Sequence, residues 1–262
     1  MSYPKKSLGQ NFLIDSNIIK KIINLSEIFN KNIIEIGPGK GALTEEILKK
    51  RPKSLVLIEK DNSLCDELKS KFKKNKKIII FNEDILKFNL QREIKKNTII
   101  FGNLPYNIAS QILVKIIRLK NWPPKYSALI FMFQKEMAER ISGKYGTSKY
   151  GRLSILTNYI LKIDNSFNIS ANCFYPKPKV TSTVLCLKPK KKIEYKIKEI
   201  KNLEKITNIL FSNRRKMINK NMIKIFSKEK IQKIIKKVDL QSRPSELNPE
   251  TYYKLTGLFE TN

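Results

Sequence analysis

The sequence contains no histidine, and its three cysteines, Cys65, Cys173 and Cys186, lie far apart. The absence of histidine excludes His-based acid–base catalysis, Ser-His triads and most zinc chemistry. The cysteine spacing suits neither a disulfide framework nor a set of metal ligands. We therefore expect a protein of a reducing compartment that binds no metal.

Long hydrophobic runs are also missing. The longest run, ALIFMF at residues 128–133, is far shorter than a bilayer-spanning helix requires. The first residues, MSYPKKSLGQNFL, contain no apolar stretch of signal-peptide length. These absences predict a cytoplasmic protein without membrane contact, and we take a monomer as the default state.

Acidic residues are scarce. The 262-residue chain has 53 Lys and Arg against 23 Asp and Glu, which gives a formal net charge of +30 at pH 7. An AT-rich genome explains a preference for lysine over arginine, but it does not explain the shortage of Asp and Glu. The excess of positive charge indicates a polyanionic partner. With 41% hydrophobic residues, the chain can bury one good core and add a small second domain.

Strand-like and helix-like segments alternate along most of the chain. A capped amphipathic helix is expected from Ser16 to Phe29, ahead of the first strand. Seven apolar segments are predicted as strands, at residues 32–37, 54–59, 77–81, 98–103, 126–134, 163–169 and 181–187. The alternation predicts an α/β fold with a doubly wound, mostly parallel sheet, in which ligands bind at the carboxyl ends of the strands.

The pattern changes at KPKKK, residues 188–192. Beyond this lysine-rich stretch only helical periodicity is visible, for instance at Leu203, Ile206 and Leu210. The sequence therefore predicts one α/β domain over residues 1–188 and a small all-helical domain over residues 193–262.

A glycine-rich turn, EIGPGKGAL at residues 35–43, joins the first strand of the sheet to a helix. Gly37, Gly39 and Gly41 let the backbone turn sharply and approach a ligand. The turn matches the G-x-G-x-x-A dinucleotide fingerprint, and equally the E-x-G-x-G-x-G turn of methyltransferases that use S-adenosylmethionine. Glu59 closes the second strand and can hold two ribose hydroxyls in either fold. These residues alone do not choose between the two cofactors.

Asp84 follows the third predicted strand, in FNEDILKF. A carboxylate at that edge of the sheet can accept a hydrogen bond from an adenine amino group. It can also simply cap the turn that follows. Both interpretations remain open at this position.

The fourth strand ends in the turn Asn103-Leu104-Pro105-Tyr106. The exocyclic nitrogen of adenine is a poor nucleophile because its lone pair is delocalised into the ring. The Asn103 side-chain oxygen and a backbone carbonyl at Leu104 or Pro105 can accept its two N–H groups and localise the lone pair, and proline preorganises the turn. Tyr106 offers a ring on which a flipped base can stack, worth roughly 1–3 kcal/mol. A hydride-transfer enzyme has no use for such a turn, so methyl transfer is favoured.

At these segments the chain resembles the ribosomal RNA adenine dimethyltransferases, and among them the bacterial small-subunit (16S) type. Nine segments carry the resemblance in family order: SLGQNFL (7–13), EIGPGKGALT (35–44), LIEKD (57–61), EDIL (83–86), GNLPYNI (102–108), MFQKEMAERI (132–141), YGRLS (150–154), FYPKPKVTSTV (174–184) and SNRRKMINKN (212–221). The resemblance implies a class I methyltransferase fold with a helical C-terminal domain and S-adenosylmethionine as methyl donor. It implies that two adjacent adenosines near the 3′ end of the small-subunit RNA become N6,N6-dimethyladenosine.

The resemblance also implies roles for residues of the donor site. Asn11 and Leu13 are expected to touch the donor, and Gly37 to approach its methionine part. Glu59 is expected to bind the ribose, and Asp84 the donor adenine.

On the target side, the resemblance implies that Asn103 contacts both donor and target. It implies that Phe174, in the F-x-P-x-P segment, stacks on the target base opposite Tyr106.

The cationic segment SNRRKMINKN is a candidate RNA-binding surface, because it places several positive side chains on or beside one helix. The candidates are Arg214, Arg215, Lys216 and Lys220. Lys5 and Lys6, next to the donor-side segment, are further candidates for phosphate contacts. Looped RNA is a suitable target, since its bases cost less to extrude than those of a duplex.

Three alternatives stay open at the level of sequence. The first is the related large-subunit (23S) RNA methyltransferase of the macrolide-resistance type, which shares the fold and the donor. The second is an RNA-binding assembly or transcription factor without activity, which the intact glycine turn and Asn-Leu-Pro-Tyr turn disfavour. The third is an NAD-dependent oxidoreductase, which the missing histidine and the basic charge disfavour.

Overall fold

The computed structural model describes residues 4–5, 9–119, 122–235 and 238–261. The described strands, in chain order, are β1 (Phe12–Leu13), β2 (Asn32–Ile36), β3 (Ser54–Glu59), β4 (Ile78–Asn82), β5 (Thr98–Asn103), β6 (Tyr126–Gln134), β7 (Leu161–Ile169), β8 (Phe174–Tyr175) and β9 (Ser182–Pro189). Within these residues, seven strands form one sheet in the order β4-β3-β2-β5-β6-β9-β7.

The described helices connect and follow these strands. They are α1 (Ser16–Ile23), α2 (Ala42–Lys49), α3 (Asn62–Lys71), α4 (Leu90–Glu93), α5 (Ala109–Ile117), α6 (Lys135–Ile141), α7 (Arg152–Ile160), α8 (Ile200–Phe211), α9 (Asn219–Met222), α10 (Lys228–Ile235) and α11 (Pro249–Phe259). None of the helices in the described part of the chain is both long enough and apolar enough to cross a membrane.

The apolar composition of the strands explains the parallel half of the sheet. β2 pairs in parallel with β3 and β5, and the outer pairs β3–β4 and β5–β6 are parallel as well. β2, β3, β5 and β6 are almost continuous buried runs, as expected for strands that helices cover on both faces. β9 runs antiparallel to β6. The predicted α/β fold with a mostly parallel seven-stranded sheet and a helical C-terminal part is confirmed.

Helix α1 is shorter than the sequence predicted. Its N-terminus is capped by Asp15, whose carboxylate accepts hydrogen bonds from the amides of Asn17 and Ile18. The helix ends at Ile23 rather than near Phe29. Ile28 still reaches the core with 1% exposure, but from the loop after the helix. Apolar spacing alone does not distinguish a buried residue of a loop from one more turn of helix.

Two strands were not predicted at all. β1 and β8 form a separate antiparallel ribbon of two residues each, in which Phe12 faces Tyr175 and Leu13 faces Phe174. Two residues carry no periodicity, so the pairing depends on contacts between distant parts of the chain. The ribbon attaches the N-terminal segment to the F-x-P-x-P segment.

The contacts divide the chain into two compact units, Met1–Ala138 with Ile163–Pro189, and Glu139–Lys162 with Lys190–Asn262. This division differs from the predicted 1–188 and 193–262, because α7 lies in the second unit. There, the Tyr253 hydroxyl donates to the Ile155 carbonyl at 3.0 Å, and the Tyr150 hydroxyl donates to the Leu247 carbonyl at 2.9 Å. The helical pattern of α7 shows that it is a helix but not which neighbours it packs against.

The sheet leaves no room for a side chain at Gly102, next to the turn that ends β5. A Cβ there would lie 2.6 Å from Leu104 Cδ2 and 3.2 Å from the Ile36 carbonyl oxygen. We expect Gly102→Ala to lower the free energy of unfolding by about 1–3 kcal/mol through overpacking. Urea unfolding followed by circular dichroism measures the change.

Gly257→Ala is the matched control, because a Cβ at that position in α11 meets no atom within 4 Å. We expect this substitution to leave stability unchanged or to raise it by about 0.5–1 kcal/mol, since alanine favours a helix over glycine. Equal effects at the two positions would contradict the packing at Gly102.

Candidate active site

A cavity of about 510 Å³ lies in the first unit, at the carboxyl ends of the parallel strands. It is lined by residues 9–14, by the glycine turn after β2 and by the ends of β3 and β5. This is where open parallel sheets bind their ligands. In the described part of the chain, no three His, Cys, Asp or Glu side chains are grouped in a way that suits a metal ion.

The glycine turn requires backbone conformations that only glycine adopts readily. Gly37 has φ 65° and Gly39 has φ 58°, both in the left-handed region. A Cβ on Gly39 would lie 2.9 Å from the ring of Phe12. The turn therefore forms a bare backbone surface along the cavity, and the expected close approach of Gly37 to a ligand remains a prediction.

Glu59 lines the cavity from the end of β3 and is 7% exposed. Its Oε2 accepts a hydrogen bond from the Gly39 amide at 3.1 Å, and its Oε1 accepts one from the Asp61 amide at 2.9 Å. Burial raises its pKa, although these backbone hydrogen bonds oppose the rise. A carboxylate has about four acceptor positions, so Glu59 can still accept a hydrogen bond from a ligand hydroxyl.

Asp84 also lines the cavity. Its Oδ2 accepts from Lys60 Nζ and its Oδ1 from the Leu86 amide, both at 2.9 Å. The hydrogen bond from Lys60 holds the pKa of Asp84 below its usual value, so the carboxylate is an acceptor at neutral pH. Asp84 therefore caps the following turn and lies in the cavity wall, so the two interpretations of this residue are compatible.

The Asn103–Tyr106 turn borders the same cavity. Asn103 Nδ2 donates to the Asn11 carbonyl at 2.7 Å, so the amide presents its oxygen as an acceptor. Leu104 is 2% exposed and anchors the turn in the core. The Tyr106 hydroxyl lies 2.6 Å from Ser182 Oγ, and this hydrogen bond fixes the ring beside the cavity.

The structure brings Asn11 and Leu13 to the cavity but not Phe174. Asn11 and Leu13 line it from β1 and the residue before. Phe174 is 3% exposed and packs in the hydrophobic core with Leu13. The expected stacking of Phe174 on a target base stays a prediction, and it requires that the ring become more accessible than it is in this conformation. Tyr175, the next residue on β8, is the exposed aromatic at 58%.

Glu35 adds a buried carboxyl to the cavity. It lines the cavity near the end of β2, is 1% exposed, and accepts a hydrogen bond from Thr44 Oγ1 at 2.7 Å. Burial raises its pKa to about 7, against the effect of the Thr44 hydrogen bond and with a smaller contribution from the Glu59 charge. The Glu35 carboxyl therefore titrates near neutral pH.

Several partners at the site were not singled out from the sequence. Ser182 holds Tyr106, Lys60 holds Asp84, and Thr44 holds Glu35. Lys60 directly follows Glu59 in LIEKD, and this adjacency is the sequence feature that could have identified it as a residue of the site. Ser182 and Thr44 lie in two of the segments that carry the family resemblance, but their hydroxyl contacts become visible only in the tertiary fold.

The four predicted RNA-binding cations lie in the second unit. Arg214, Arg215 and Lys216 occupy the turn after α8, and Lys220 lies in α9. All four are exposed. The Arg214 guanidinium, however, donates to the carbonyls of Ser148 and Tyr150.

Arg214 therefore supports a loop of its own unit. Because its guanidinium already donates to two backbone carbonyls, Arg214 is less available to an RNA phosphate. Lys6 lies outside the described residues, and Lys5 forms an ion pair with Asp61.

The sheet order, the glycine turn and the acidic end of β3 define the class I methyltransferase fold. Solved structures share it. The dimethyladenosine transferase from Plasmodium falciparum matches with a TM-score of 0.80 at 24% identity, over 95% of this chain and 98% of that chain. The 23S rRNA methyltransferase ErmE matches with a TM-score of 0.69 at 21% identity, over 95% of this chain and 99% of that chain.

Sequence comparison gives the family. The family described as ribosomal RNA adenine dimethylase matches residues 1–260, and the chain belongs to it. Ribosomal RNA small subunit methyltransferase A of Pelagibacter ubique (strain HTCC1062) is 45% identical over 98% of this chain and 97% of that protein. The protein of the same name from Malacoplasma penetrans (strain HF-2) is 39% identical over 97% of this chain and 91% of that protein.

The raised pKa of Glu35 predicts a pH-dependent stability. Between its ordinary pKa of 4.5 and about 7, the folded state of the ligand-free protein holds the Glu35 proton that the unfolded state has lost. Stability therefore falls as pH rises through this window. Between pH 5 and pH 8 we expect the wild type to lose on the order of 2–3 kcal/mol of its free energy of unfolding. Glu35→Gln should not show this loss.

Urea unfolding at pH 5 and pH 8 measures this difference. Glu27→Gln, at an exposed position, is the control and is expected to keep the wild-type slope of stability against pH. A Glu35→Gln variant with that same slope would contradict the shifted pKa.

Proposed function

We propose that this chain transfers methyl groups from S-adenosylmethionine to N6 of two adjacent adenosines in a hairpin loop near the 3′ end of 16S rRNA, giving N6,N6-dimethyladenosine. The observation that carries this proposal is the orientation of Asn103. Its amide nitrogen is held by the Asn11 carbonyl at 2.7 Å, which leaves an oxygen acceptor at the cavity wall. An acceptor there suits an exocyclic amine, whose lone pair must be localised before it can attack.

The residues around the cavity fit S-adenosylmethionine. Glu59 would hold the ribose hydroxyls, Asp84 would accept from the adenine amino group, and the backbone at Gly37 would lie along the methionine part. Asn11 and Leu13, which also line the cavity, would touch the donor. The donor supplies an activated methyl group on a sulfonium centre. Buried carboxyls at Glu35 and Glu59 favour a cationic ligand in a chain that is otherwise strongly basic.

The protein's own contribution is positioning. Asn103 Oδ1 and a backbone carbonyl at Leu104 or Pro105 would accept the two N–H groups of the target amine, and Tyr106 would support the base by stacking. The amine loses a proton when it gains the methyl group, and water suffices to take that proton. This agrees with a sequence that contains no histidine.

Charge and the names of the relatives both support an RNA partner. The chain carries a formal charge of +30, and the exposed cations Arg215, Lys216 and Lys220 lie close together in sequence. We propose that the helical unit that contains them binds RNA phosphates, and that the enzyme acts as a cytoplasmic monomer on the small ribosomal subunit. The relatives at 45% and 39% identity carry a small-subunit name, which favours 16S over 23S rRNA.

The direct test incubates the protein with methyl-labelled S-adenosylmethionine and either unmethylated 30S or 50S subunits, followed by mapping of modified bases. The proposal predicts label in N6,N6-dimethyladenosine of 16S rRNA only. Label in 23S rRNA would support the large-subunit alternative. Donor binding without any methylation of either subunit would support a non-enzymatic assembly factor.

Asn103→Ala should lower kcat by about 10²–10³-fold while RNA affinity stays near wild type, because the acceptor acts on the reacting amine. Single-turnover methylation of 30S subunits and a filter-binding assay measure the two quantities. Asn17→Ala, at an exposed position of α1, is the control and should retain normal turnover. Near-normal turnover of Asn103→Ala would contradict the proposed role of Asn103 as the acceptor for the target amine.

Arg215→Gln combined with Lys216→Gln should weaken RNA binding and reduce the slope of log affinity against log salt by about 1.4–1.8, because two phosphate contacts are lost. The control pair, Lys73→Gln with Lys74→Gln, makes the same charge change at exposed positions of the first unit. An equal change of slope in both pairs would mean that overall charge, rather than this turn, determines RNA affinity.

A further inference from the structure

The N-terminal segment is held beside the donor cavity by a polar cluster of three side chains, Lys5, Gln10 and Asp61, which we call the N-terminal latch. Lys5 Nζ donates to Asp61 Oδ1 at 2.8 Å, and Gln10 Nε2 donates to Asp61 Oδ2 at 2.9 Å. The Lys5 amide donates to Gln10 Oε1 at 2.7 Å, which closes the cluster. Each oxygen of the Asp61 carboxylate therefore has a partner from the N-terminal segment.

Asp61 depends on these partners because its side chain is almost fully buried, at 1% exposure. Burial alone would raise the pKa of Asp61, but the hydrogen bonds from Lys5 and Gln10 bring it below the usual value. A buried carboxylate that loses a charged partner is strongly disfavoured. The latch is thus held closed by the cost of removing the charged partner Lys5 from a buried carboxylate.

The latch is connected on one side to the proposed ribose-binding carboxylate. The Asp61 amide donates to Glu59 Oε1 at 2.9 Å, and the other oxygen of Glu59 accepts from the Gly39 amide. A shift of Asp61 would therefore move the hydrogen bond that orients Glu59 in the cavity.

On its other side the latch is connected to the Asn103–Tyr106 turn. Gln10 is followed by Asn11, whose carbonyl oxygen accepts the 2.7 Å hydrogen bond from Asn103 Nδ2. Residues 10 and 11 line the cavity between these two contacts. The segment that Lys5 fastens is thus the segment that orients the Asn103 amide.

We propose that Lys5 is a positioning residue, which closes residues 9–13 over the methyl donor and thereby sets the orientation of the Asn103 amide. The inference rests on the proposed function, since it assigns the cavity to the donor. Lys5 itself lies outside the cavity lining, and its side chain is 47% exposed. Its effect on donor and target must therefore pass through Asp61 and Gln10.

A different role for Lys5 is direct contact with an RNA phosphate. The two roles differ in a measurable way, because a phosphate contact has no influence on donor binding when RNA is absent. Calorimetric titration of the RNA-free protein with S-adenosylmethionine therefore separates them. The variants are Lys5→Met, Lys5→Arg and, as a control with the same charge change at an exposed position, Lys50→Met.

The latch predicts that Lys5→Met raises the donor Kd roughly tenfold without RNA, since a charge-assisted hydrogen bond is lost. It also predicts a several-fold lower kcat at saturating donor and RNA, because the segment whose Asn11 carbonyl orients the Asn103 amide is less firmly held. Lys5→Arg should restore most of both values, and Lys50→Met should match wild type. An unchanged donor Kd with weaker RNA binding would overturn the latch in favour of the phosphate contact.

A double-mutant cycle with Asp61→Asn tests whether the effect of Lys5 on donor binding passes through Asp61. Asparagine keeps an acceptor for the Ser63 amide, which Asp61 now caps at the start of α3, so the helix retains its cap. The latch predicts that Lys5→Met has almost no further effect on donor Kd once Asp61 is Asn. Additive effects would overturn it. A wild-type chain that binds no donor would instead overturn the proposed function, and the latch with it.

Discussion

The hydrogen bond from the Asn103 side chain to the Asn11 carbonyl is the interaction on which the site depends. It joins two residues that are 92 positions apart, one in the N-terminal segment and one at the end of β5. It gives the amide a defined donor end and a defined acceptor end. A turn with the same sequence but a rotating amide would offer the target amine a donor as often as an acceptor.

Buried acidic groups and exposed basic groups lie in different places on the protein. The ionisable side chains that are buried in the described part of the chain are Glu35, Glu59 and Asp61, all in or beside the cavity. The exposed surface carries most of the positive charge of a +30 chain. Under the proposed function, acidic groups attract the cationic donor and the basic surface attracts the polyanionic RNA. The absence of histidine fits a proposed transfer in which positioning replaces acid–base catalysis.

Local signals predicted the sheet, the glycine turn and the Asn103–Tyr106 turn, because buried strands and tight turns are encoded by neighbouring residues. The sequence did not predict features that depend on tertiary pairing. Phe174 faces the core because of its register against β1. Arg214 hydrogen-bonds carbonyls 64 and 66 residues away, and the latch connects residues 56 apart. Neither composition nor periodicity contains such contacts.

The account is tested most directly by a crystal structure of the protein with S-adenosylmethionine bound. It predicts that the donor methyl group points at the Asn103–Tyr106 turn while Asn103 Nδ2 keeps its 2.7 Å hydrogen bond to the Asn11 carbonyl. A methyl group directed away from that turn, or an Asn103 amide released from Asn11 in the complex, would contradict the account.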